Sequence, residues 1–131
     1  MLVGHGVDLV DIGMVERLLG DPADQFLLQN FTPREREDVG DGLERPARLA
    51  GRFAVKEAVL KALGLGFGAG TTFKNVEVVL AESGQPNVEL HGKVAERARS
   101  LGVSRWLVST SHEESMAIAS AIALADQEGP R

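Results

Sequence analysis

In the run AGRFAVKEAVLKALG, residues 50–64, four charged side chains (Arg52, Lys56, Glu57 and Lys61) interrupt a segment otherwise built largely of Ala, Val, Leu and Phe. On a helical wheel Leu49, Phe53 and Leu60 make the main apolar stripe and Ala50, Ala54, Ala58 and Ala62 a neighbouring one. Glu57 falls between them, with Lys61 one turn on. A Glu and Lys at this spacing ordinarily form an ion pair worth about 0.2–0.5 kcal/mol. On a face at least half buried, a charge costs several kcal/mol unless a partner offsets it, and a carboxylate kept there has reason to hold a cation. Arg48, Arg52 and Lys56 form a second stripe at four-residue spacing, suited either to solvent or to gripping phosphates. From Arg45 to Lys61 five cations stand against Glu57 alone, a local excess of +4 on a chain of net charge −5. An anion, if bound, binds there.

Two further residues stand out. Asp8 alternates with Gly4 and Gly6 on one face of an N-terminal strand, Val3, Val7 and Leu9 lying opposite, so open space is expected around its carboxylate. The plainer reading is a carboxylate following a Gly-rich bend. His112, after Thr110 and Ser111, ends a strand and is either a hydrogen-bonded turn residue or a ligand contact.

The elements that must position these groups follow from local patterns. A strand is expected over 2–12, then a short helix with Val15, Leu18 and Leu19 ending near Gly20. Thr32, Pro33 and Glu35 in FTPRERE make a capping box. A long helix is expected over 46–63, stopped at Gly64. Phe73 to Leu80 alternates and pairs through ESGQP with Val88 and Leu90 as a hairpin. Val94, Ala95, Ala98 and Leu101 give another helix, followed by RWLVSTS. In SMAIASAIALA, Met116, Ile118, Ile122 and Leu124 alternate with Ala117, Ala119, Ala121 and Ala123, a strand whose small face lets a helix or another subunit approach closely. The order β-α-α-α-β-β-α-β-β is that of an α+β domain with a largely antiparallel sheet. Gly64, Gly66, Gly68 and Gly70 lack the G-K-[ST] of a Walker loop, and shaping a ligand cleft suits them better.

The bulk numbers limit the function. A chain of 131 residues, 44% hydrophobic and 25% charged, suits one globular domain over 1–131, with 126–131 a frayed tail. The absence of Cys removes disulfides, thiolate metal sites and Cys nucleophiles. The acidic balance argues against nonspecific nucleic-acid or membrane binding. With neither a signal-peptide pattern nor a long apolar run, the cytoplasm is the simplest setting.

Four motifs, in order along nearly the whole chain, carry a resemblance. RFAVKEAVLKALGLG resembles the F-A-x-K-E-A-x-x-K-A-x-G signature of the phosphopantetheinyl transferases. GVDLVDI is similar to the early Asp motif of their short-form branch, which primes carrier proteins. FTPRE is similar to its F-[ST]-x-x-E, and STSHEESMAIA to its closing S-x-S-H strand. The resemblance implies the fold of that family, an antiparallel sheet packed on a long central helix. It also implies transfer of the 4'-phosphopantetheine arm of coenzyme A to a serine of an acyl carrier protein in fatty-acid synthesis, with Mg²⁺ bridging protein and pyrophosphate.

By position, Asp8 and Glu57 match the metal ligands and Lys61 the lysine on the pyrophosphate. Arg52 and His112 match the nucleotide end with its 3'-phosphate. Glu57 is then the candidate base, directly or through a water. Lys56 is expected to be a solvated or structural cation. The family also implies a homotrimer with sites between subunits, where His112 could serve a neighbour. The first helix departs from the family pattern: Arg17 is its only cation and Met14 stands where relatives place Arg, so carrier docking would lean on Met14, Leu18 and Leu19, or on Arg34 and Arg36. Competing readings are a noncatalytic coenzyme A or nucleotide binding subunit, and an anion-binding structural oligomer whose helix charges are ordinary ion pairs.

Overall fold

The computed structural model describes residues 1–23, 25–66 and 72–126. Strand β1 (Leu2–Asp11) leads into α1 (Ile12–Gly20), then α2 (Phe26–Asn30), α3 (Pro33–Val39) and the long α4 (Arg45–Ala62). A 3-10 turn (Phe73–Asn75) precedes the hairpin β2 (Val76–Leu80) and β3 (Pro86–Leu90). Helix α5 (Gly92–Ser100), β4 (Arg105–His112) and β5 (Met116–Leu124) follow. The expected order holds with two changes. Helix α2 carries only one buried residue, Phe26, and so leaves no periodic signal in the sequence. Phe73–Asn75 is a turn capped by Thr72 rather than the start of the strand.

The antiparallel strands form two sheets, β1-β5-β4 and β2-β3. Helix α4 is the hub, buried nearly all round because the larger sheet covers one side while α1, α3 and the aromatic cluster cover the others. Phe53 anchors that cluster, with ring centroids 5.3 Å from Phe26 and 4.7 Å from Phe73. The small face of β5 (Ala117, Ala119, Ala121, Ala123) is fully buried and faces α4, so an element of the same chain, not another subunit, takes up the close approach.

The same packing corrects the expectation of open space beside Asp8. A Cβ built on Gly4 would lie 2.0 Å from the Ala62 carbonyl oxygen, and one on Gly6 would lie 1.9 Å from that of Ala58. The glycines exist to let β1 press onto the backbone of α4. The face carrying Gly6, Asp8 and Val10 is therefore inside, and Val7 and Leu9 are outside. Gly68, Gly70 and the tail over 127–131 lie outside the described residues.

Candidate active site

The contact of β1 with α4 brings Asp8 to the C-terminal half of the helix. Lys61 Nζ donates to Asp8 Oδ1 at 2.6 Å and to the Val7 carbonyl at 3.1 Å. The lysine side chain remains 54% exposed while that of Asp8 is 8% exposed, so the cation faces outward over a buried carboxylate. Lys61 thus pairs with Asp8 rather than with Glu57, the partner that the helical spacing suggests. Hydrogen bonding to Asp8 raises the Lys61 pKa and keeps the amine charged.

Glu57 completes the cluster. Its carboxyl lies beside that of Asp8, and its pKa is raised to about 7, first by desolvation and then by the neighbouring Asp8; Lys61 acts in the opposite sense. Two carboxyls this close repel unless a proton or a cation lies between them. Among the described residues no N–H or hydroxyl reaches the buried Asp8 Oδ2. Paired carboxylate oxygens with one unmet buried acceptor, and no nitrogen or sulfur donor, fit a hard divalent cation such as Mg²⁺. Beside them lies a cavity of about 190 Å³ lined by Glu57, Leu60, Lys61, Leu65, Gly66 and Phe73.

Arg52 and His112 lie elsewhere. Both line a second cavity of about 190 Å³ together with Arg48, Gly51, Thr110 and Ser111. Arg52 precedes Glu57 by five residues, which turns it roughly 140° around the helix, so the two groups diverge within one protomer. Arg52 is buried, its Nη1 donates to the Glu35 carbonyl at 3.3 Å, and desolvation lowers its pKa. Arg48 spends its guanidinium on the carbonyls of Val39 and Asp41 and so ties down the loop between α3 and α4.

Lys56 is not solvated. It is fully buried and donates to Glu35 Oε1 at 2.7 Å, the Phe73 carbonyl at 2.9 Å and the Val76 carbonyl at 2.6 Å. Burial lowers its pKa, which Glu35 opposes. Glu35 also accepts from the amides of Thr32 and Val78 at 2.9 Å. The capping box marks Glu35 in the sequence, but nothing local marks its second task as counterion to a lysine 21 residues away.

One more cluster escaped the sequence reading. Glu77, Glu89 and His91 converge on the small hairpin. Their charges are already met: Thr32 Oγ1 donates to Glu77 Oε2 at 2.6 Å and lowers its pKa, His91 contacts Glu77, and Arg34 lies 3.5 Å from Glu89. It reads as a polar network.

Comparison with known proteins bears on what this arrangement does. Residues 4–120 match the 4'-phosphopantetheinyl transferase superfamily. A holo-[acyl-carrier-protein] synthase of Halorhodospira halophila is 42% identical over 119 residues, covering 91% of this chain and 94% of that protein. The crystal structure of the holo-[acyl-carrier-protein] synthase from Neisseria meningitidis is similar with a TM-score of 0.83 at 29% identity, covering 95% of this chain and 99% of that one. The synthase from Bacillus anthracis in complex with CoA (3',5'-ADP) is similar with a TM-score of 0.79 at 28% identity, over 96% of this chain and 99% of that one.

Proposed function

This chain belongs to the 4'-phosphopantetheinyl transferase superfamily, and from that premise we propose that Asp8, Glu57 and Lys61 form the centre at which it acts. The enzyme transfers the 4'-phosphopantetheine arm of coenzyme A to a serine of an acyl carrier protein, converting the apo form to the holo form. The observation that carries the site assignment is the convergence of the Asp8 and Glu57 carboxyls under the Lys61 ammonium.

In the step itself the serine Oγ attacks the phosphorus bearing the pantetheine arm. The bond from that phosphorus to the bridging oxygen breaks, and 3',5'-ADP leaves with the electron pair. The serine proton passes to the Glu57 carboxylate, directly or through a water. Lys61, held in place by Asp8 and Val7, offsets the negative charge growing on the leaving phosphate. Mg²⁺ would be held by Asp8 and Glu57 and supplies further positive charge to the diphosphate. Phosphoryl transfer of this kind depends on positioning and charge and needs no covalent enzyme intermediate.

Arg52 and His112 are assigned to the nucleotide end of coenzyme A. Their divergence from Glu57 within one protomer supports a site shared between copies. The outer sheet face, where Val7, Leu9, Leu107 and Ile118 are exposed, supports the same reading as a surface for self-association. A homotrimer, a role in fatty-acid synthesis and a cytoplasmic setting complete the proposal; no helix among the described residues is long and apolar enough to cross a membrane.

The test is to incubate the protein with coenzyme A, Mg²⁺ and apo carrier protein and weigh the carrier intact. Addition of one phosphopantetheine supports the reading. Coenzyme A binding without any mass gain would favour a noncatalytic subunit.

A further inference from the structure

A buried ion pair is a poor source of stability. Removing two charges from water costs about as much as their attraction returns, and apolar replacements are often neutral or better. The Lys56–Glu35 pair therefore needs another reason to exist, and its geometry supplies one. All three ammonium protons of Lys56 are engaged, and two of them go to backbone carbonyls of the returning chain, Phe73 and Val76. Glu35 fastens the next residues of the same strand through the Val78 amide. Phe73 also lines the cavity together with Glu57, Leu60 and Lys61. The residue immediately before Glu57 thus ties down another residue lining the same cavity.

We propose that Lys56, with Glu35 as its counterion, is a positioning residue for the transfer reaction, setting the width of the cavity beside Glu57 and Lys61 by anchoring Phe73. This rests on the assignment of coenzyme A as the substrate at that site. Lys56 touches no substrate. It acts through the wall, so its loss weakens the hold on coenzyme A and leaves the reacting groups on β1 and α4 in place.

Lys56→Met alone strands a buried carboxylate, so the informative variant is Lys56→Met with Glu35→Gln, which removes both charges at similar volume. A second variant, Phe73→Leu, alters the wall and leaves the ion pair intact. Steady-state transfer to apo carrier protein is measured for both, for their combination and for the wild-type protein, with melting curves recorded alongside. Each is expected to raise KM for coenzyme A about tenfold while kcat stays within about threefold, and the combination should be no worse than either. Lys56→Arg, which keeps the charge, should recover part of the loss.

A folded double variant with unchanged KM would make the pair merely structural and overturn the proposal, as would a fall confined to kcat. Should the double variant not fold, an unchanged KM in Phe73→Leu overturns it by itself. Wild-type protein that transfers nothing would instead remove the functional reading, and this inference with it.

Discussion

The carboxyl of Glu57, in the C-terminal half of α4, lies beside that of Asp8 on β1. Two acidic groups meet here because two glycines let the strand lie against the helix backbone. Desolvation and the neighbouring carboxylate together make Glu57 the site's pH-sensitive element.

The pH dependence follows with a definite sign. Glu57 has a folded pKa raised from 4.5 to about 7, so the native state binds this proton more tightly than the unfolded chain does. In the metal-free protein its contribution to stability is greatest below about pH 4.5 and is lost as pH rises through about 7. Denaturant melts across that range should show the decline, and Glu57→Gln should remove it. A divalent cation competes with the proton, so Mg²⁺ affinity should rise over the same interval.

Lys61→Gln should leave the fold nearly intact, because the Lys61 side chain is half exposed and Gln keeps an N–H to donate to Asp8. If Lys61 offsets charge on the leaving phosphate as proposed, its loss should instead lower kcat by about 10²–10³-fold. Melting temperature and single-turnover rate, measured on one preparation, separate the two effects.

Gly6→Ala would place a methyl carbon 1.9 Å from the Ala58 carbonyl oxygen. The strand must move away, at a cost of at least about 1–3 kcal/mol. Since Asp8 is two residues on and faces the same way, transfer activity should fall as well, although Gly6 carries no reactive group. Gly20→Ala, where nothing lies within 4 Å, is the control and should be neutral in both assays.

Much of this architecture could be read from one-dimensional patterns. The alternation of Ala and Ile or Leu through 116–124 identified β5 despite the helix propensity of Ala, because burial on one face outweighs intrinsic preference. The capping box at Thr32 and Glu35 formed as expected. The exchange of partners at the site was not legible. Helical spacing suggests Glu57 with Lys61, but β1 offers Asp8 to both, and local periodicity holds no record of a strand arriving from elsewhere. Of the two expectations for Lys56 the structural one holds, and the sequence could not choose it for a related reason: its stripe with Arg48 and Arg52 is polar by sequence, and only the chain folding back at Phe73–Val76 encloses it.

His112→Ala tests the assignment of the second cavity to the nucleotide end. KM for coenzyme A should rise about tenfold, whereas KM for coenzyme A lacking its 3'-phosphate should hardly change. Equal effects on both substrates would remove His112 from phosphate recognition.

The convergence of Asp8 and Glu57 on one divalent ion is tested most directly by titrating Mn²⁺, as a paramagnetic stand-in for Mg²⁺, into wild-type protein, Asp8→Asn and Glu57→Gln with coenzyme A present. Water-proton relaxation should report one site per protomer in the wild type, with affinity reduced at least about tenfold in each variant. Unchanged Mn²⁺ affinity in either variant, with the protein still folded, would contradict the account.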